Sequence, residues 1–140
     1  MDDRITALVS GALATAAMLA AVYLAEVVAG YRVLVYQLFG GVVTIPETVG
    51  LVVFVAFGVL VWPTVFLIVG ENLAPTREGM RGVVLALLLW IAFFVALVPA
   101  FDVTELFPFI AASLLAHLVY GLVLGLSFEA LDGEHRDWRA

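Results

Sequence analysis

Residues 107–128 read FPFIAASLLAHLVYGLVLGLSF, an apolar run long enough to cross a bilayer as a helix. Within this run and just past its end, small or polar residues recur at every fourth position: Ser113, His117, Gly121, Gly125 and Glu129. Residues four apart lie on one face of an α-helix, so they form a single stripe while aliphatic residues cover the rest. The pattern predicts a transmembrane helix whose stripe faces protein and not lipid.

The composition of the whole chain indicates an integral membrane protein. Of its 140 residues 65% are hydrophobic and only 13% are charged, and the mean hydropathy of +1.18 lies far outside the range of soluble domains. The absence of cysteine excludes disulfides and thiolate metal sites. All six basic residues are arginine, against twelve acids, a composition typical of halophiles. The net charge of −6 argues against binding to nucleic acid.

Four apolar runs predict an all-α, polytopic four-helix bundle that forms one transmembrane domain over residues 1–140. The predicted spans are approximately 5–28, 46–69, 81–99 and 107–128, with a polar cytoplasmic tail at 130–140 that frays in water. Proline at position 63 predicts a kink in the second span, because it removes a backbone hydrogen bond.

Residues 29–44 connect the first two spans and are too interrupted by glycine and polar residues to cross the membrane. Their aromatic residues favour the membrane interface. We therefore expect a short interfacial helix at about 31–38. An irregular apolar loop, or a segment that re-enters the membrane, is the alternative.

The arginines predict the orientation of the bundle. With four spans, one side of the membrane holds Arg4, Arg77, Arg81, Arg136 and Arg139, and the other holds only Arg32. Basic residues are enriched on the cytoplasmic side of membrane proteins. We expect a multi-pass protein of the plasma membrane with both termini in the cytoplasm.

A candidate intramembrane polar site centres on His117, which lies about midway along its predicted span. The site comprises His117, Tyr120, Ser113 and Thr15. The histidine could relay protons, ligate haem or contact a substrate. The structural alternative is an imidazole hydrogen-bonded to a hydroxyl at similar depth, such as that of Thr15.

Haem ligation within one chain would require a second ligand at the depth of His117. The other histidine, His135, lies in the tail, so the ligand would be Met18 or His117 of a second copy. Methionine in a helix is more often a packing residue. We expect no cofactor and no metal.

Three charged residues, Glu26, Arg32 and Glu47, form a candidate cluster at the outer membrane boundary. Such a cluster could line a vestibule or bind a cation, but charged groups at this depth more often pair with one another or reach to water. We expect a structural pair.

Gly121 and Gly125 form a GxxxG pattern, which indicates close contact between helix backbones. Nine of the twelve residues at 10–21 in the first span are also small. The sequence therefore predicts that the two glycines pack internally, against the first span. A homodimer contact is the alternative.

Trp62-Pro63, Arg81-Gly82 and the run from His117 through Tyr120 and Gly121 to Gly125 resemble a family of small, uncharacterised four-span membrane proteins of haloarchaea. The resemblance extends over nearly the whole chain and includes a His-x-x-Tyr-Gly run in the last helix. It implies the four-span fold, the plasma membrane and a joint role for His117 and Tyr120, which at i and i+3 could share a hydrogen bond or a ligand. It implies no activity.

Three functional hypotheses follow from these features. The first is a non-enzymatic structural or accessory subunit, associated with the lipid bilayer and with other membrane subunits or itself. The second is a small channel, carrier or proton-conducting unit that uses His117. The third is a haem-binding electron carrier.

Overall fold

The computed structural model describes residues 2–30, 46–73, 77–97 and 103–136. Its elements are α1 (Asp3–Ala29), α2 (Glu47–Ala56), a π-helical segment (Phe57–Val61), α3 (Trp62–Val69), a 3₁₀ turn (Gly70–Asn72), α4 (Glu78–Leu97) and α5 (Val103–Arg136). The second span consists of α2, the π-helical segment and α3 in direct succession. The interfacial helix predicted at 31–38 lies outside the described residues.

The predicted all-α four-span architecture is confirmed. Four helices in the described part of the chain are long and apolar enough to cross a membrane: Asp3–Val28, Thr48–Val69, Glu78–Ala96 and Ile110–Asp132. Their outward faces are apolar, with Val28, Ile68 and Val95 each more than two-thirds exposed. Hydroxyl side chains are buried instead, as at Thr6, Ser10 and Ser113. An apolar surface around small polar residues suits a bundle whose solvent is lipid.

Both ends of α1 are set by local sequence. The Asp2 carboxylate accepts a hydrogen bond from the Arg4 N–H at 3.0 Å and caps the first turn. The helix ends at Gly30, which adopts the left-handed conformation with φ 71° and donates its N–H to Glu26 O. Glycine takes this conformation without steric cost.

The helices α1 and α5 form a central pair. The second span packs on α1 through its π-helical segment and α3, while α4 packs along α5. The core between them is built from Ala14 and Met18 of α1, Phe66 of α3, and Leu124 and Phe128 of α5. The rings of Phe66 and Phe128 meet edge to face, with centroids 5.5 Å apart.

Pro63 is accommodated by the π-helical segment that precedes it, where the sequence predicted a kink. The Trp62 N–H bonds to Phe57 O, five residues back, instead of Gly58 O, four residues back. In a π-helical turn the donor to Gly58 O would be the residue five positions later, which is Pro63, and proline has no N–H. The carbonyl of Gly58 is therefore left without a helical partner.

The glycines of α5 pack against α4, and the prediction that they pack on the first span is wrong. A Cβ added at Gly121 would collide with Gly82 O, and one at Gly125 would lie 2.7 Å from the Gly79 Cα. Gly82 is equally restricted, because its own Cβ would meet Gly121 O. Glycines on both helices thus allow backbone-to-backbone contact.

The small residues of α1 approach the second span instead. A Cβ at Gly11 would collide with the Pro63 ring and would lie 3.0 Å from the carbonyl oxygens of Gly58 and Val59. The proline turn is therefore held against α1 at a position where only glycine leaves room.

The last helix is longer than the sequence predicted. It begins at Val103 and continues to Arg136, so the tail that was expected to fray from residue 130 is helical as far as Arg136. Alanine, leucine, glutamate and arginine at 130–136 favour helix, and each residue added to an existing helix gains a hydrogen bond. Residues 137–140 lie outside the described chain.

Candidate functional site: an intramembrane cavity

A cavity of about 300 Å³ lies at the middle of the bundle, and all four spans contribute to its wall. The lining residues are Thr15, Met18, Val53, Phe54, Phe57, Gly58, Trp62, Leu89, Ala92, Phe93, His117 and Tyr120. Thr15, Gly58 and Tyr120 each lie close to the middle residue of their span. The cavity therefore lies near the centre of the hydrocarbon layer.

His117 enters the wall from α5 with one ring nitrogen already bonded. Its Nδ1 lies 2.7 Å from Ser113 O, one turn back on the same helix. A carbonyl oxygen only accepts, so Nδ1 carries the hydrogen and donates it. In a neutral ring Nε2 then carries a lone pair and no hydrogen. The ring lies beside Phe93 of α4, with centroids 5.6 Å apart.

Tyr120 joins the cavity wall to the π-helical segment. Its hydroxyl donates a 2.6 Å hydrogen bond to Gly58 O, the carbonyl that the proline turn leaves without a helical partner. An unpaired backbone carbonyl within a membrane is costly, so the Tyr120 hydroxyl supplies the donor that the second span lacks for Gly58 O. Tyr120 itself is buried, with 3% of its surface exposed.

Thr15 faces Tyr120 and His117 across the cavity from α1. Its hydroxyl donates to Gly11 O at 2.7 Å, one turn back. A Cβ at Gly58 would collide with the Thr15 hydroxyl and lie 3.2 Å from its methyl group, so the threonine occupies space that only glycine leaves free. Gly58 thus supplies both a carbonyl to Tyr120 and room for Thr15.

Ser113 lies one turn before His117 on α5, and its hydroxyl links α5 to α4 by a hydrogen bond. Its hydroxyl accepts a 3.0 Å hydrogen bond from Trp90 Nε1 and donates to Ile110 O. Its carbonyl receives the His117 hydrogen. The Trp90 ring stacks on Phe94, with centroids 5.4 Å apart, which fixes the donor in place.

Three of the four residues in the predicted polar site line one cavity: His117, Tyr120 and Thr15. The fourth, Ser113, holds the histidine through its backbone carbonyl. The structural alternative paired His117 with the Thr15 hydroxyl, but each of these side chains donates to a carbonyl of its own helix. The predicted joint role of His117 and Tyr120 stays a prediction.

Sequence reasoning missed the second span's contribution to the site. Phe54, Phe57, Gly58 and Trp62 line the cavity, and none was a candidate. A partial signal was available at Pro63, because a proline inside a span leaves one preceding carbonyl without a backbone donor, and that carbonyl then needs a side-chain partner. The aromatic wall gave no such signal, since apolar residues in a span look alike whether they face lipid or a cavity.

The residues that could hold a haem are His117, through Nε2, and Met18, which lines the same cavity from α1. A bare imidazole nitrogen and a thioether are established axial ligands of haem iron. Of the predicted outer cluster, Arg32 lies outside the described residues, the side chain of Glu47 is not described, and Glu26 is partly buried. The pairing of these three charges stays a prediction.

Comparison with models of known protein families places the chain in one of them. Residues 1–139 match the model of a family of unknown function, DUF6789. The chain belongs to this family. No curated protein and no solved structure matches it. The resemblance to an uncharacterised family is confirmed to this extent, while a haloarchaeal source and a His-x-x-Tyr-Gly family motif stay predictions. This DUF6789 protein is thus a small protein with four membrane-span-like helices, whose cavity is the feature from which function can be argued.

Proposed function

We propose that this protein is a non-enzymatic accessory protein of the plasma membrane that binds a small, neutral, lipid-soluble molecule in its central cavity. The single observation that supports this is the cavity of about 300 Å³ between the four spans. Well-packed interiors leave few voids larger than a water molecule, whereas ligand pockets begin at about this volume.

The composition of the wall sets the chemistry of the molecule. No charged side chain is among the described lining residues, and most of them are aliphatic or aromatic. An ion would lose its hydration here without a compensating charge, so the ligand is uncharged. Because the cavity lies at mid-bilayer depth, the ligand enters from the hydrocarbon layer.

The orientation proposed for the bundle places both termini in the cytoplasm, as the arginine distribution favours. The ligand-loaded protein would act beside other membrane subunits or a second copy of itself. A proton-conducting role receives less support, because the polar side chains in the described wall cluster at one depth instead of following a path toward both faces. The halophilic composition supports a haloarchaeal source.

Haem binding receives less support, because a cavity of about 300 Å³ holds on the order of ten atoms other than hydrogen, several times fewer than a haem contains. The observation in its favour is that Met18 and His117 line the same cavity and that the His117 Nδ1–H is bonded, which leaves Nε2 as a ligand. A Soret band in protein purified from its native membrane, lost in His117→Leu, would decide for haem.

The proposed function is tested by filling the cavity. Leu89 lines the wall and packs on the core, so Leu89→Trp extends a larger side chain into the void. Vesicles containing the wild-type protein should bind 2-naphthol saturably, above the amount that protein-free vesicles take up. In Leu89→Trp the affinity should fall at least about tenfold, because the probe and the indole compete for the same volume.

Leu88→Trp is the matched control. Leu88 is adjacent on α4 but is 52% exposed toward lipid and does not line the cavity. It should bind the probe like the wild type. Equal loss of binding in both variants, or no saturable binding by the wild type, would contradict the proposed function.

A further inference from the structure

Three polar side chains of the cavity wall already donate their hydrogens to backbone carbonyls. His117 Nδ1–H donates to Ser113 O, the Tyr120 hydroxyl to Gly58 O and the Thr15 hydroxyl to Gly11 O. What these side chains have left for a ligand is lone pairs, on Nε2 and on two hydroxyl oxygens. We propose that the cavity selects a lipid-soluble alcohol or phenol, whose O–H donates into this group of acceptors, over the carbonyl or ether counterpart. The proposal rests on the proposed function and adds the ligand class to it.

The hydrogen of the Tyr120 hydroxyl is held in place because Gly58 O has no other donor. Gly58 O has no backbone donor, because Trp62 N–H bonds to Phe57 O and Pro63 has no N–H. Turning the Tyr120 hydroxyl toward a ligand would leave this carbonyl unpaired in a medium without water. The Thr15 and His117 hydrogens could turn to a ligand only by giving up a bond to a carbonyl of their own helix, so the number of hydrogen bonds would not rise.

This arrangement favours ligands that donate a hydrogen bond over ligands that can only accept one. A ligand hydroxyl adds a hydrogen bond to the site without breaking one. A ligand carbonyl gains a bond only if one wall hydrogen leaves its backbone partner, so that no bond is added. A ligand ether meets the same restriction. In an apolar site, one additional hydrogen bond corresponds to about a tenfold difference in affinity.

Trp62 is the exception in the wall, because its indole N–H is a donor. It belongs to the outer part of the lining: it is partly exposed, and its ring packs on Phe57, with centroids 5.5 Å apart. Phe57 is 43% exposed to the membrane side. The buried side chains Thr15 and Tyr120, each 3% exposed, lie on the inner wall. A hydroxyl that reaches the inner wall therefore meets acceptors.

The volume sets the size of the group that is recognised. A water molecule in liquid occupies about 30 Å³, so the cavity holds on the order of ten atoms other than hydrogen. This suits a hydroxylated ring or a short hydroxylated chain. Any longer tail would extend past the outer wall at Phe57 into lipid.

The experiment compares probes of one shape. The wild-type protein in phosphatidylcholine vesicles is titrated with 2-naphthol, with 2-methoxynaphthalene, in which the hydroxyl hydrogen is replaced by methyl, and with 2-naphthaldehyde. Each affinity is corrected for partition into protein-free vesicles. The naphthol should bind at least about tenfold more tightly than the ether and the aldehyde.

Thr15→Val removes one acceptor and keeps the side-chain shape, so the preference for naphthol over ether should fall several-fold. Its matched control is Thr64→Val. Thr64 makes the same bond one turn back, to Leu60 O, but is exposed and outside the cavity. This control should keep the full preference. Circular dichroism of both variants verifies that the helices are intact.

The outcomes distinguish this inference from the function on which it rests. If all three probes bind saturably with equal affinity, or if the aldehyde or the ether is preferred, the selection for a donor is overturned while a ligand-binding cavity stands. If no probe binds above the protein-free level, the proposed function fails and this inference fails with it. A preference that persists unchanged in Thr15→Val, His117→Phe and Tyr120→Phe would also overturn the proposal.

Discussion

Replacing Gly121 by leucine is expected to separate α4 from α5 and to destabilise the bundle by about 3 kcal/mol. The first side-chain atom alone would collide with Gly82 O and lie close to the Ala86 Cβ. A backbone carbonyl cannot change rotamer, so the helices must move apart along the whole contact. Thermal unfolding in detergent, followed by circular dichroism, should show a fall in Tm of at least about 10 °C.

Alanine substitutions provide the control for this prediction. Gly121→Ala adds only the colliding atom and should also lower Tm. Gly70→Ala adds the same atom where the nearest neighbours are 3.7 Å away on the Phe66 ring, an ordinary contact. Gly70→Ala should therefore melt like the wild type. If Gly121→Leu and Gly70→Ala melt at the same temperature, the close contact between α4 and α5 is refuted.

Replacing Tyr120 by phenylalanine is expected to cost about 1–3 kcal/mol, which corresponds to a fall in Tm of about 5 °C. The ring and its packing are preserved, and the loss is one hydroxyl hydrogen. That hydrogen is the partner of Gly58 O, for which the described second span supplies no backbone donor. Membrane hydrogen bonds are often worth less, because the unfolded segments find other partners. In the folded variant, however, the proline turn leaves Gly58 O without any helical partner.

Tyr23→Phe is the matched control, since Tyr23 is 69% exposed on the surface of α1. It should not change Tm. Infrared spectroscopy of protein carrying a ¹³C-labelled carbonyl at Gly58 gives a direct view of the bond. The labelled band should move to higher frequency in Tyr120→Phe and stay in place in Tyr23→Phe. An unmoved band in both variants would show that Tyr120 does not bond to Gly58.

The spans could be predicted because the bilayer imposes a simple rule on composition. A helix in lipid must satisfy its own backbone and present apolar side chains outward, so run length and hydropathy locate it without knowledge of the neighbours. The four-residue spacing of Ser113, His117, Gly121 and Gly125 similarly indicated a common face. In the structure Ser113, Gly121 and Gly125 are buried and His117 is partly buried, whereas Glu129 is exposed.

The partner of each face could not be read in the same way. A GxxxG pattern states that a backbone comes close but not which one, and small residues occur both in α1 and around Gly82 in α4. Choosing between them depends on the fit of whole helices. Because the glycines of α5 pack on α4, the small residue Gly11 of α1 contacts the turn at Pro63 instead.

The cavity was the least predictable feature. A void is the space that packing does not fill, and here it depends on twelve residues from four spans. The sequence indicated His117, Tyr120 and Thr15 because polar residues are rare at mid-membrane depth. It gave no sign of the directions in which their hydrogens point, since these depend on carbonyls positioned by the fold.

The direction of the His117 hydrogen is the most direct test of the account, because the acceptor character of the cavity depends on it. His135→Gln leaves His117 as the single histidine of the chain. Nitrogen NMR of ¹⁵N-histidine-labelled protein in bilayers then reports on each ring nitrogen separately. We expect the hydrogen on Nδ1, bonded to Ser113 O, and an Nε2 without hydrogen. A hydrogen on Nε2, in a neutral or a charged ring, would contradict the account.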